Sequence, residues 1–467
     1  MPRFRHDPRL PEHCHHHCIF CICKAVKRVF RRILVAAGVL MPVCAAAQQP
    51  LTVDAAVQAA VAHNASLRAA RAGVDEAVAR TTEARSGFYP RLSVSEAWQR
   101  GDEPVFVFGS LLSSRQFAAS NFAIDALNHP EPIGFFRTTL GLEQLIYDGG
   151  RQRAGAASAS LGRDIATATV DEATAAIALE TTRTFGRLLA SEAATRAADA
   201  GLESARQDLT RAEQRRDAGR ATDADVLSLV VHVANLQQRA IQAASDAAVA
   251  RAELNRLMGA PVDAPVVAAA PTPAATASSP DLAALLAEAE AARPEIKRAL
   301  AASRLAEKTQ SQTTAALIPQ VAAQAAYDLN GTHIADRAGS WIVGGQVRWT
   351  FSTGGAELAA RKAAAAAITR AAAEAEDVRS AVHVEVVTAI GHVESARARE
   401  AVGRAAADQA RESQRIVRDR FDQGLAGVND VLRASSSVLE AEFNRTAAIV
   451  DMMVADATLR RAVGRLP

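Results

Sequence analysis

Apolar and polar positions follow two different periods along this chain. From Leu51 to Phe88, Val53, Ala56, Val57, Ala60 and Val61 recur at helical spacing, with Thr52 or Asp54 placed to cap, and Tyr89-Pro90 ends the segment. Asp281 to Leu317 repeats the plan and stops at Pro319. After each proline the period falls to two. Trp341, Val343, Val347, Trp349 and Phe351 alternate with Ile342, Gln346, Arg348 and Thr350, opposite a weaker strand of Val321, Ala323, Ala325, Tyr327 and Leu329. In the first half Leu92, Val94 and Trp98 are expected to pair with Phe136, Thr138, Leu140 and Leu142. Such alternation fits a half-buried sheet or a lipid-facing barrel strand with a wet interior. Two hairpins per chain cannot close a barrel, but three copies, giving twelve strands, would.

Long proline-free, alanine-rich windows follow: no proline occurs from Ile133 to Ala260 or from Gln320 to Leu466. An interior proline costs a helix about 3 kcal/mol, so these windows permit very long helices. Arg151 to Arg216 is 66 residues, about 100 Å of helix at the standard rise. Leu202 and Leu209, and Val378, Val382, Val386 and Ile390, are expected to pack one helix on another.

The pattern occurs twice. At an offset of 205, Gly149-Gly150 falls on Gly354-Gly355, Asp217 on Asp422, Gly219 on Gly424, Asp225 on Asp430, Leu254 on Leu459 and Gly259 on Gly464. Upstream the offset is 229, placing Leu67 on Ile296 and Pro90 on Pro319, so the first copy carries about 24 extra residues between Pro90 and Gly149. That excess holds Phe106, Phe108, Phe117 and Phe122, and reads as a long loop on the outer face of a barrel or as a plain surface loop. Each half is therefore a helix, a β-hairpin (90–147 and 320–352) and a long helical hairpin, with tips near 217–225 and 422–430. The halves, 48–260 and 281–467, are joined by a Pro/Ala-rich linker at 261–280.

Residues 1–47 form an expected secretory leader. Lys24, Lys27, Arg28, Arg31 and Arg32 precede the apolar run Ile33–Cys44, and Ala45-Ala46-Ala47 offers a cleavage site. The leader's eight Lys/Arg and two Asp/Glu leave 45 basic and 49 acidic residues, a net of −4 against +2 for the whole chain. Near-neutral charge argues against a nucleic-acid partner. All five cysteines lie in the leader, so no disulfide framework is expected beyond it. The His13-Cys14-His15-His16-His17-Cys18 cluster has metal-ligand character but falls in this discarded segment, and Val43 before Cys44 disfavours lipidation there.

No catalytic constellation, metal site or cofactor site is expected. His63, His129, His232, His333, His383 and His392 are scattered, and Gly149-Gly150 lacks the Lys-Ser/Thr of a phosphate loop. The protein is not expected to be an enzyme, and any energy-consuming step belongs to another protein.

Phe88-Tyr89-Pro90, Leu317-Ile318-Pro319, the run Leu145-Ile146-Tyr147-Asp148-Gly149-Gly150-Arg151 and the two tips, in order and in duplicate, resemble the TolC family of outer-membrane efflux proteins over nearly all of 51–467. The resemblance implies a mainly α chain with a small β part, as a homotrimer. Its twelve-stranded barrel would stand in outer-membrane lipid and continue as an α-helical tunnel across the periplasm of a Gram-negative cell. It also implies a periplasmic adaptor and an inner-membrane pump, in a tripartite efflux or type I secretion system. The chain departs from the pattern at Ser352-Thr353, where the acid before Gly354-Gly355 is missing, and at Arg433, where a second aspartate is usual.

At the periplasmic mouth, Asp430 and Asp225 would form carboxylate rings in a threefold assembly, and Arg433, one turn beyond Asp430, would pair with it to hold the mouth shut. Alternatively both aspartates simply cap the descending helices. The turns Gly219-Arg220-Ala221-Thr222 and Gly424-Leu425-Ala426-Gly427 are candidate adaptor-docking tips. The competing expectation for the whole chain is a periplasmic or surface coiled-coil protein without a pore, which leaves the duplicated aromatic strands unexplained.

Overall fold

The computed structural model describes residues 50–269, 281–350 and 352–465. The expected leader at 1–47 and most of the linker lie outside them. The first half runs α1 (Val53–His63), α2 (Ala65–Ser86), β1 (Arg91–Gly101), β2 (Ile133–Tyr147), α5 (Arg151–Asp217) and α6 (Asp223–Met258). Between β1 and β2 lie the short helices α3 (Pro104–Ser113) and α4 (Ile124–Asn128). The second half runs α7 (Leu282–Ala292), α8 (Pro294–Ala315), β3 (Gln320–His333), β4 (Asp336–Arg348), α9 (Ala356–Asp422) and α10 (Val428–Ala462).

The two halves repeat the same order of elements. Helices α5 and α9 are both 67 residues long, about 100 Å each. Gly219 and Gly424 end them at φ +73° and +78°, a left-handed conformation that costs any residue with a Cβ. At the first tip Gly219 N–H donates to Arg216 O and Arg220 N–H to Arg215 O, both 2.8 Å. Gly424 and Leu425 repeat this onto Phe421 and Arg420. These paired bonds satisfy the last carbonyls of each helix.

The single helices expected over 51–88 and 281–317 are each broken in two. Asn64 is extended (φ −60°, ψ 131°), and its Oδ1 accepts from Ser66 N–H at 2.9 Å, which caps α2. Pro294 opens α8 and pushes Arg293 into the same extended conformation. Asn64 and Arg293 are partners at the offset of 229. Asn64 Nδ2 donates to Leu257 O at 3.0 Å, and Arg293 Nη1 donates to Ala462 O at 3.3 Å. Leu257 and Ala462 are themselves partners at 205. Each break thus clasps the end of its own half's returning helix. Gly259 and Gly464 let the chains close: a Cβ at either would meet His63 O at 2.7 Å or Ala292 Cβ at 2.8 Å.

The cores are thin layers between helices. Ala56, Phe185, Leu188, Ala250, Leu254 and Met258 form one, and Leu285, Ala289, Ile296, Val382, Val386 and Ala389 its counterpart. Val378 and Ile390 pack against the second, so the expected helix-to-helix role of that stripe is met. The linker's first residues follow the chain's start: Leu51 pairs with Ala268 as an isolated parallel bridge.

The strands make one antiparallel sheet in the order β1-β2-β3-β4. Leu92, Val94 and Trp98 face Leu142, Leu140 and Phe136, Leu142 and Leu140 face Ala325 and Tyr327, and these face Val343 and Trp341. One side of the sheet is therefore mainly apolar and aromatic, and Val94, Trp98 and Trp341 on it are exposed; it is interrupted toward the loop end by Glu96, which Arg337 pairs at 3.1 Å. Ser93, Ser95, Thr139, Arg137, Gln324, Asp328 and Ser340 occupy the other side. No helix among the described residues is long and apolar enough to cross a membrane.

Candidate functional site

Both helical-hairpin tips pack together. Ala212, Val226 and Leu229 of the first hairpin bury against Phe421, Val428 and Val431 of the second, with Leu209 and Ala426 alongside. Arg215 fixes the join: its guanidinium lies 4.2 Å over the Phe421 ring, and its Nη2 donates to Phe421 O and, at 2.9 Å, to Asp422 O. A cation over an aromatic face that also caps terminal carbonyls is doubly favoured there.

Asp225 lies at the third position of α6 in a full capping box. Thr222 N–H donates to its Oδ2 at 3.0 Å, and Asp225 N–H donates to Thr222 Oγ1 at 3.2 Å. The Thr222 amide and hydroxyl hold the Asp225 carboxyl below its ordinary value. Asp430 has the matching place in α10. Gly427 N–H donates to its Oδ2 at 3.1 Å, but Gly427 has no side chain to return the bond. Its other oxygen receives Arg433 Nη2 at 3.0 Å. Both members of that pair are exposed. Arg433 also donates from Nε to Asn429 O at 3.3 Å. The structure thus brings Asp430 and Arg433 together and leaves Asp225 apart from them with Thr222.

The turn residues expected to dock a partner form the exposed end of the hairpins. Gly219, Arg220, Thr222, Gly424, Leu425 and Gly427 are exposed, while Ala221 and Ala426 are half-buried. Leu425 is 74% exposed, a large apolar group left uncovered among the described residues.

A second charged group near the tip was not anticipated from the sequence. Asp208 of α5 is buried and receives Arg211 Nη1 and Arg418 Nη2, each at 3.4 Å. Arg418 comes from α9, and it also donates to Ser204 Oγ. Arg211 reaches Asp422 at 3.9 Å. Burial pushes the Asp208 carboxyl up, beyond what the two guanidiniums restore. Asp208 lies on the stripe of Leu202, Ala205 and Ala212, so an acid on an apolar stripe was the signal available. Among the described residues no cluster of His, Cys, Asp and Glu is arranged to hold a metal ion.

Comparison with known proteins fits this geometry. A comparison with curated protein sequences finds none that matches. The fold is similar to that of a membrane protein from Pseudomonas aeruginosa at 19% identity and a TM-score of 0.75, covering 88% of this chain and 93% of that one. It is similar to the Campylobacter jejuni CmeC outer membrane channel at 15% identity and 0.77, covering 88% and 85%. It is also similar to the Neisseria gonorrhoeae MtrE outer membrane channel in its open state at 18% and 0.71, covering 88% of each. A sequence profile of the outer membrane efflux protein family matches residues 56–260 and 285–465. Spanning both halves of the duplication, that match establishes that the chain belongs to the outer membrane efflux protein family.

Proposed function

We propose that three copies of this outer-membrane channel protein close into a twelve-stranded barrel continued by a helical tunnel, serving as the passive exit duct of a pump-driven export system. One observation carries this reading: a four-stranded sheet whose largely apolar, aromatic side is exposed and whose outer strands, β1 and β4, have no further strand partner among the described residues. Open sheet borders do not persist in lipid, so the strands must be paired by other copies. The polar side then lines the bore. A coiled-coil protein without a pore would leave that exposed aromatic side without a role.

At the other end, Asp430 and Arg433 become rings in a threefold assembly. A solvent-exposed ion pair contributes at most about 1 kcal/mol, so it biases the mouth toward closure without locking it. The heavier clamp is the buried Asp208 with Arg418 and Arg211. The exposed turns at Gly219–Thr222 and Gly424–Gly427, with Leu425 at their end, suit docking by a periplasmic adaptor that links the duct to an inner-membrane pump. The family is one of efflux proteins, not of enzymes, and the energy for transport comes from that pump.

The test is reconstitution of the processed protein. Detergent-extracted material should have a trimer's mass and should pass discrete currents across a planar lipid bilayer. A monomer that stays soluble without detergent and passes no current refutes the reading.

A further inference from the structure

The excess of about 24 residues between β1 and β2 is attached to the polar side of the sheet. Phe106 of α3 meets Phe135 edge to face at 6.3 Å between ring centres. Phe135 is 2% exposed, and it stands on the polar side, in the same alternation as Arg137 and Thr139. Gly101, on that side too, accepts the same ring: a Cβ built there would stand 3.7 Å from Phe106. Val107 is buried beneath the helix. Arg115 then turns the chain with φ +59°, the one positive φ outside glycine among the described residues. Its Nη2 donates to Gly339 O of β4 at 2.9 Å, tying the insert to the sheet's far strand. A bulky residue held in that conformation marks an imposed path and not a slack loop.

The insert's free side has the wrong character for a wet bore. Phe108, Phe117 and Phe122 stack edge to face at 4.8 and 5.0 Å. Phe122 of this stack is exposed, as are Val105, Leu112 and Ile124 nearby, Val105 and Ile124 each by 78%. An apolar cluster rooted on the polar side of a barrel sheet projects toward the bore. Resting on the trimeric-barrel reading above, we propose that the three inserts of the assembled protein meet at the end of the barrel away from the helices. There Val105, Leu112, Phe122 and Ile124 form an apolar collar against the same residues of the other copies. Such a collar dewets when empty and resists water and small ions, while an amphiphilic or aromatic organic solute wets it and passes. The collar adds a filter by solute class at the exit, independent of the charged tip at the entrance.

The experiment uses a thiol placed inside the barrel, in a chain whose described residues contain no cysteine. Ser95→Cys sits on the polar side below the insert. Labelling by a charged, membrane-impermeant maleimide is followed on intact cells, from outside. The parent insert should label slowly. With Val105, Leu112, Phe122 and Ile124 all changed to Ser, labelling should speed up on the order of tenfold, because the constriction becomes wettable. A second variant, with residues 105–126 replaced by a short Gly/Ser segment, should match it. Equal rates in all three chains, fast or slow, overturn the collar. Leu92→Cys on the apolar side separates this from the barrel reading: it should react with a lipid-soluble maleimide and not with the charged one. If, in the chain with the Gly/Ser segment, Leu92→Cys takes the charged reagent as readily as Ser95→Cys does, the barrel itself is wrong.

Discussion

Asp208 is the residue where burial and charge oppose each other most directly. Its carboxyl is held above the ordinary value, burial outweighing Arg418 and Arg211. The folded chain therefore binds this proton more tightly than the unfolded chain does. By linkage its contribution is most favourable below the ordinary carboxylate value, and it weakens as pH rises through the raised one. Asp208→Asn should make the protection of tip amides, corrected for intrinsic exchange, less sensitive to pH in that window. Asp208→Ala should behave otherwise, because it leaves Arg418 and Arg211 without their shared partner. Arg418 and Arg211 stay partly solvated, so the loss falls below the ~3–5 kcal/mol of a fully buried pair, and amides in the last turns of α5 and α9 should lose protection. Asp225 has the opposite sign: its depressed carboxyl contributes above the ordinary value, and the contribution is lost as pH falls through the lowered one. Thr222→Ala removes the return bond of that capping box and should cost about 1 kcal/mol, read as faster exchange in the first turn of α6 alone.

At the scale of the elements, the clasps at Asn64 and Arg293 are the joints on which each half is hung. Arg293 is buried and divides its donors among Glu295 (2.9 and 3.0 Å), Glu385 (2.7 Å) and the carbonyls of Arg461 and Ala462. Arg293→Ala should lower stability by about 3–5 kcal/mol, seen in thermal melting. Asn64→Ala, which removes a neutral bond and a cap, should cost only about 1–3 kcal/mol. The elements themselves were largely legible. The two 67-residue helices follow from absent proline, and the strands from the alternation of Trp341, Val343 and Val347. The breaks were not, although Pro294 stood in view: the apolar spacing continues across both breaks, and a side chain that caps a helix 193 residues away leaves no local signature. The tip showed the same division. Asp225 and Asp430 were legible because the duplication aligned the tips, and Arg433 because it departs from the family pattern one turn beyond Asp430. Asp208 and Arg418 were not, since their offset partners, Ser413 and Glu213, share none of their chemistry, and only the contact between hairpins unites them.

For the molecule as a whole, the two ends of the proposed duct should answer to different changes. Arg433→Ala and Asp430→Ala should raise single-channel conductance modestly and shift its ion selectivity, since one exposed pair is worth at most about 1 kcal/mol. Unchanged conductance and selectivity in both would remove them from the mouth. Docking is separable from gating. A bulky residue at Ala221, or Leu425→Asp at the exposed end, should impair efflux in cells while trimers and their conductance persist. Wild-type drug sensitivity in such variants would place the adaptor elsewhere.

The sheet with two bare margins bears on how the protein is made. In the proposed trimeric duct, a newly exported chain that has not yet met its two sibling copies carries a greasy flank and two hydrogen-bonding borders through an aqueous compartment. It cannot resolve them by folding further, because four strands are too few to curl shut. Maturation must then depend steeply on how many chains are present, with escorts shielding the interval. Overproduction without those escorts should yield insoluble sheet-paired aggregates in place of inserted channels.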